Sequence, residues 1–285
     1  MMKSMTIKWK STSLLDNPNL VIGSILATIL ASVILFGSTI APYDPFQIDM
    51  GNRLKEASSI HWLGTDQLGR DVLSRILYGA KLTIGLGLLT IVLAIVIGVP
   101  IGLLSGYIGG KVDAVFMRMI DGILAFPDFI LAIAIAGILG PNLTNIVLAI
   151  ILVRWIMYAR VVRSLVMAEK EKEYILVSKI SHSSTWKTIR MHLFPQVLSE
   201  IIAMSAIDVG KVILMISALS YIGLGAQPPI PEWGAMLNEG RGYFQAVPSL
   251  MLYPGLAIMV TVLTCNLLGD GLKDHFDIRK GSDNR

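Results

Sequence analysis

Charge and cysteine are both scarce in this chain of 285 residues. Only 15% of its residues are charged, whereas 54% are hydrophobic. A soluble domain of this length needs more polar surface than this composition supplies. The one cysteine, Cys265, lies inside an apolar run, which excludes a disulfide framework and a thiol metal cluster. We expect Cys265 to be a buried structural residue.

Sequence motifs of enzymes are also missing. No two of the four histidines have the H-E-x-x-H spacing of a zinc enzyme, and no G-x-x-x-x-G-K-[ST] run is present. The chain is therefore predicted to be non-catalytic and not to bind ATP by that route. If ATP drives its function, another chain must hydrolyse it. The net charge of +4 is modest and predicts no nucleic-acid partner.

Long apolar runs dominate what is present. Leu20 to Ile40, Leu82 to Tyr107 and Leu250 to Gly269 carry no charge, and each is close to the length of about 20 residues that crosses a bilayer. Three more runs contain two or three charges each: 120–139, 142–162 and 196–225. The sequence predicts an all-α, polytopic membrane protein with six transmembrane helices. The first run is too long for the apolar core of a cleavable signal peptide.

The distribution of Lys and Arg predicts the orientation. With a cytoplasmic N-terminus, 16 of these residues lie inside and six outside, so both termini are expected in the cytoplasm. The basic residues of the external segment 41–81 stand beside acidic ones, and pairing would reduce the cost of placing these basic residues outside.

The predicted parts, in order, are a tail (1–19), a first helix (20–40), the external segment (41–81), a five-helix core (82–272) and a second tail (273–285).

A long polar stretch interrupts the core between the fourth and fifth predicted membrane helices of the chain. This coupling loop, residues 168–195, starts with alternating charges at 169–173 and ends at Pro195. We expect two short amphipathic helices there, presented to a soluble partner.

Four ordered motifs carry a resemblance to a known family. They are HWLGTDQLGRDVLSR at 61–75, the coupling loop, LSYIGLGAQPP at 219–229 with PEWG at 231–234, and YPGL at 253–256 with NLLGDGL at 266–272. Together they cover the chain from about residue 20 to 280. The chain resembles the permease subunits of bacterial ABC importers of the dipeptide, oligopeptide and nickel type.

The resemblance implies an architecture and a set of partners. It implies the type I importer fold, with one leading helix and a five-helix core, in the bacterial plasma (inner) membrane. The partners would be a second homologous permease, two ATP-binding subunits, an extracytoplasmic solute-binding protein and membrane lipid. ATP and magnesium would sit on the ATP-binding subunits, so no cofactor is expected on this chain.

The resemblance also assigns a role to the coupling loop, which would dock into an ATPase subunit. Family members usually carry Glu-Ala-Ala followed by a glycine four residues later. Here Leu176-Val177-Ser178 and His182 stand at these positions. Histidine tolerates the positive φ of a turn better than most residues other than glycine. The expected docking residues are Glu173, Tyr174, Leu176, Val177, Ser178, His182 and Pro195.

Ionisable residues within apolar spans are costly and usually face a cavity or a partner. Asp208 and Lys211 are three residues apart and share one helical face, where they can pair. They are interpreted either as a structural ion pair or as part of a translocation path. Arg154 is assigned to the same path, with snorkelling to the membrane surface as the alternative. Helix capping or bundle contacts would explain Asp121 and Asp128.

The substrate is predicted from the fourth and fifth helices. Trp155, Tyr158 and Arg160, with Asp208-x-Gly210, resemble the nickel-import branch, whereas many peptide permeases carry an acidic residue where Ile216 stands. Nickel or a nickel chelate is therefore favoured and a di- or oligopeptide is the alternative. The residues that would bind a metal are left open. A passive channel is the rival from another class, and it would not need the coupling loop.

Overall fold

The computed structural model describes residues 17–172, 175 and 185–283, without the side chains of 112, 185 and 277–283. Six of the predicted docking residues lie outside this part of the chain: Glu173, Tyr174, Leu176, Val177, Ser178 and His182.

Helices make up almost all of the described chain, which contains no β-strand. A helical turn (Thr185–Thr188) and a π-helical segment (Ile189–Leu193) lead into the sixth long helix without a break. The all-α prediction is therefore confirmed. The helices are α1 (Pro18–Ile40), α2 (Val72–Ile108), α3 (Gly110–Leu124), α4 (Asp128–Leu139), α5 (Leu143–Glu169), α6 (Phe194–Tyr221), α7 (Trp233–Arg241) and α8 (Ser249–Asp283).

Five helices of the described chain are long and apolar enough to cross a membrane: α1, α2, α5, α6 with its lead-in, and α8. A sixth span results if α3 and α4 are counted together. The span predicted over 120–139 is not one continuous helix, because α3 and α4 are bent by 86°. Pro127 stands at this break, where it lacks an N–H for the helix ladder and disfavours helical geometry at Phe126.

The ends of the helices differ from the predicted ends. α2 begins ten residues before Leu82, because the Asp71 side chain caps it by accepting from the Ser74 N–H at 2.8 Å. α8 continues beyond Gly269 to Asp283. Cys265 in α8 is only partly buried, contrary to the buried position predicted for it, and it packs against Gly210.

α2 and α5 approach each other along a row of glycines. Gly98, Gly102 and Gly106 recur every four residues, so they lie on one face of α2. A Cβ atom on any of them would collide with the backbone of α5, and small residues are what permit such close approach between membrane helices. The colliding atoms would be the carbonyl oxygens of Trp155, Ala159 and Arg163, at 2.3, 2.5 and 2.9 Å.

Residues 41–71 and α7 form a cap over one end of the bundle, and buried charges hold the cap together. Asp66 accepts hydrogen bonds from Arg70 (2.6 Å) and from Arg75. Glu239 of α7 pairs with the same two guanidiniums, at 2.5 Å and 3.1 Å. Both arginines are 1% exposed. Two positive and two negative charges balance, so the network is neutral, but only one of its acids, Asp66, comes from segment 41–81 as expected.

A second set of contacts holds α7 against the first turns of α2. The fully buried Glu232 carboxylate caps α7, accepting from two backbone N–H groups at 3.0 Å. The Trp233 indole donates to the Ile76 carbonyl oxygen at 3.1 Å, and the Trp233 N–H donates to Thr83 Oγ1 at 3.2 Å. The cap and the start of α2 therefore form one rigid unit.

Candidate functional site

Four charged side chains meet between α4, α5 and α6, and we refer to them as the charge cluster: Asp128, Arg154, Asp208 and Lys211. Asp208 is 2% exposed. Its Oδ1 atom lies 3.3 Å from Lys211 Nζ and 4.0 Å from Arg154 Nη1. The structure thus forms the Asp208–Lys211 pair that the spacing of three residues predicts. The Lys211 side chain is 57% exposed, so this pair reaches from the interior to the outer face of α6.

Arg154 connects the two acidic residues of the cluster. Its Nη2 atom lies 3.2 Å from Asp128 Oδ2 and donates to Met215 Sδ, also at 3.2 Å. Arg154 is only 6% exposed. The snorkelling alternative is wrong, because snorkelling would place this guanidinium in water. Asp128 is the first residue of α4, where its side chain also accepts from the Phe129 N–H without capping the helix.

Sequence reasoning missed Asp128 as a site residue. The signal was an acidic residue in an apolar run directly after a proline. Its partner Arg154 lies on another helix, and helical spacing carries no information about such a pair.

The charge cluster contains buried polar atoms that form no hydrogen bond with any described residue. They include Arg154 Nε and Asp208 Oδ2. The buried Tyr158 hydroxyl lies beside the Asp208 carboxylate. Most buried polar atoms in proteins are hydrogen-bonded, so free valences are expected where water or a ligand binds. The Tyr158 hydroxyl stands beside the free Asp208 oxygen, so Arg154 Nε is the donor of the cluster that is left for water or a ligand.

The charge cluster does not resemble a metal centre. No three His, Cys, Asp or Glu side chains converge in the described part of the chain as metal ligands would. The acids of the cluster are also bonded to Arg154 and Lys211. A bare cation would therefore have to break these pairs to gain carboxylate ligands.

Three Asp–Arg pairs among the described residues join the bent α3–α4 segment to α5. They differ strongly in geometry and burial. The pair nearest the coupling loop is short and partly buried, with a bidentate contact at 2.5 Å. The middle pair is 3.7 Å long and more than half exposed on both sides. The pairs are Asp113–Arg163, Asp121–Arg160 and Asp128–Arg154.

Of the predicted docking residues, the structure describes Pro195. It is the second residue of α6 and directly follows the π-helical segment, where it supplies no N–H to the helix ladder. The helical path runs through it from the lead-in, and its role in docking stays a prediction. Pro195 is exposed. Ile175, between the undescribed parts of the loop, is fully buried.

Comparison with known proteins gives the following matches. Residues 98–281 match the family model "Binding-protein-dependent transport system inner membrane component". The nickel transport system permease protein NikC of Escherichia coli (strain K12) is 38% identical over 253 residues, covering 89% of this chain and 91% of that protein. The dipeptide transport system permease protein DppC of Alkalihalophilus pseudofirmus is 39% identical over 257 residues, covering 90% and 84%. The glutathione transport system permease protein GsiD of Pectobacterium atrosepticum is 37% identical over 258 residues, covering 90% and 86%.

Proposed function

The chain belongs to the family of binding-protein-dependent transport system inner membrane components, and from this premise we propose that it forms half of the pathway through which an ATP-driven importer moves nickel or a nickel chelate. It is a non-catalytic permease subunit of the nickel and peptide ABC importers. Such permeases work with ATPase and binding-protein partners. The rival interpretation as a passive channel is dropped, because it does not agree with this family.

The neutrality of the charge cluster is the observation that carries the choice of cargo. Asp128 and Asp208 are balanced by Arg154 and Lys211. A free divalent cation would meet no net negative charge there, and metal sites need converging ligands. A chelated nickel ion brings its own ligands and a lower net charge. The cluster therefore favours a chelate over the bare ion.

A di- or oligopeptide is the second candidate. A zwitterionic peptide carries one ammonium and one carboxylate, and these groups could exchange with the ion pairs of the charge cluster. Identities of 38% to NikC and 39% to DppC do not separate the two cargoes. The pattern on α5 and α6, with Ile216 in place of an acidic residue, supports the nickel assignment.

We place both ends of the chain on the cytoplasmic side, together with the coupling loop. Asn17, just before α1, donates to Asp274 near the end of α8 at 3.2 Å, which supports an even number of spans. The excess of Lys and Arg at that end supports its cytoplasmic location. The cap would then face the solute-binding protein. A second homologous permease would enclose the path, and two ATP-binding subunits would bind the coupling loops.

The test is uptake of radiolabelled nickel, with and without histidine as a chelator, in cells with and without this gene. Sensitivity to a toxic dipeptide is scored in parallel. We expect loss of the gene to abolish uptake of chelated nickel and to leave dipeptide sensitivity unchanged. Resistance to the dipeptide with unchanged nickel uptake would establish the peptide alternative instead.

Asp208→Asn tests the pathway itself. We expect uptake per assembled complex to fall about tenfold or more, because a hydrogen bond to a charged group contributes about 1.5–3 kcal/mol, while the ATPase subunits still co-purify. Asp270→Asn, at an exposed acid on α8, is the matched control and should transport normally. If Asp208→Asn lowers only the amount of assembled complex, Asp208 is a structural residue and does not act on cargo.

A further inference from the structure

The junction between α2 and α3 is built for a sharp reversal of the chain. α2 ends at Ile108, and the next two residues, Gly109 and Gly110, have φ values of 68° and 67°. Only glycine adopts such values readily. Because the chain turns back within these two residues, the first turn of α3 lies beside the last turn of α2, and Asp113 faces Ser105.

Asp113 is the centre of a polar clamp between three helices. Its carboxylate accepts from Arg163 Nε and Nη2 on α5, both at 2.5 Å, and from Ser105 Oγ on α2 at 2.6 Å. The neighbouring Lys170 donates to the Gly106 carbonyl oxygen at 2.9 Å. We define the clamp as Ser105, Asp113, Arg163 and Lys170. A bidentate guanidinium–carboxylate contact is both strong and geometrically specific.

The clamp holds the end of α5, between the predicted docking residues and the charge cluster. Lys170 directly follows the last residue of α5, and the predicted docking residues begin three positions later. In the other direction, Arg154 precedes Arg163 by nine residues, which is about 14 Å along a helix. A displacement that the coupling loop transmits to α5 therefore reaches the clamp before it reaches the charge cluster.

We propose that Asp113 and Arg163 are positioning residues that make the ends of α2, α3 and α5 move together when the coupling loop moves. The proposal rests on the proposed function of an ATP-driven importer. With the clamp intact, displacement of the loop shifts α5 together with α2 and α3. Without it, the last turns of α5 can slide past α2, and ATP is hydrolysed without moving the charge cluster.

The Asp121–Arg160 pair provides a matched control on the same two elements. Its atoms are 3.7 Å apart and both side chains are more than half exposed, so solvent screens the interaction. Asp121→Asn removes the same charge from the same helix as Asp113→Asn. Any difference between these variants reports on the clamp and not on the net charge of α3.

The experiment uses the complete transporter in proteoliposomes, with radiolabelled nickel–histidine complex and labelled dialanine as probes. We measure cargo moved per ATP hydrolysed. We expect Asp113→Asn to lower this ratio about fivefold or more, within the usual range of coupling between sites, with ATPase binding retained. Asp113→Glu keeps the charge and should recover most of the ratio, whereas Asp121→Asn should leave it unchanged. A wild-type ratio in Asp113→Asn overturns the proposal.

Ser105→Ala covers the case in which Asp113→Asn does not assemble. It removes one bond of the clamp and keeps the ion pair, so a smaller fall in the ratio is expected, and an unchanged ratio overturns the proposal. Failure of the proposed function has a different signature. In that case the wild-type complex moves neither probe, whereas failure of the clamp alone leaves wild-type transport intact.

Discussion

Replacement of Glu239 by glutamine tests whether buried charges hold the cap on the bundle. The change keeps the size and shape of the side chain and removes its charge. Glu239 contacts Arg70 at 2.5 Å and Arg75 at 3.1 Å. Once it is neutral, Asp66 alone must balance two guanidiniums that are each 1% exposed. One buried positive charge is then uncompensated.

The expected cost follows from this imbalance. Breaking a buried ion pair by removing one partner destabilises a protein by about 3–5 kcal/mol. The Glu239 side chain keeps 12% exposure, so we take the lower value, about 3 kcal/mol. For large domains, 1 kcal/mol changes Tm by about 2–4 °C. Glu239→Gln should therefore lower Tm by about 6 °C or somewhat more.

The assay is thermal unfolding of the purified chain in detergent, followed by loss of the monodisperse peak in size-exclusion chromatography. Glu56→Gln is the control, because Glu56 is an exposed acid of the same cap and should change stability by less than about 0.5 kcal/mol. Equal Tm values for the two variants would refute the reasoning. The network would then contribute no more than an exposed surface charge.

Three further outcomes are expected. Gly102→Leu should destabilise the chain by about 1–3 kcal/mol in the same assay, because a Cβ atom at residue 102 would lie 2.5 Å from the Ala159 carbonyl oxygen. Gly85→Leu is the control and should be harmless, because no atom lies within 4 Å of a Cβ atom at residue 85. Glu232→Ala should cost about 1–2 kcal/mol by uncapping α7. Arg154→Met should leave the charge cluster net negative, so added Mg²⁺ should inhibit uptake of chelated nickel more strongly than in the wild type. Equal inhibition would contradict the neutrality argument.

The positions of five membrane helices could be predicted because each is a long apolar run. The helix ends could not, since caps and distant partners set them. Arg75 illustrates the difficulty. A charge at that position predicts solvent, yet the residue is inside α2 and fully buried, because it bonds to Glu239, 164 residues away in sequence. Pro127 is a local sequence signal for the bend between α3 and α4, but a hydropathy profile alone does not detect it.

The candidate site was predictable to the extent that it lies within one helix. The spacing of Asp208 and Lys211 predicts their pairing directly. The contribution of Asp128 depends on how α4 packs against α5, which follows from the bend and not from any periodic pattern. The same holds for the clamp, whose residues come from three helices. Charges inside apolar runs predict that these residues have charged partners, but only the fold identifies those partners.

Two of the three Asp–Arg pairs also bear on how the chain enters the membrane during synthesis. An aspartate at the centre of an inserting helix raises the free energy of insertion by about 2.5–3.5 kcal/mol. The α3–α4 segment carries Asp121 and Asp128, and the arginines that pair with them lie on α5. Those partners arrive with α5, later in translation. Insertion of α3–α4 should therefore be completed only as α5 leaves the translocon. A nascent chain ending near residue 140 should insert this segment less efficiently than one ending near 170, which makes α3 to α5 a single unit of biogenesis.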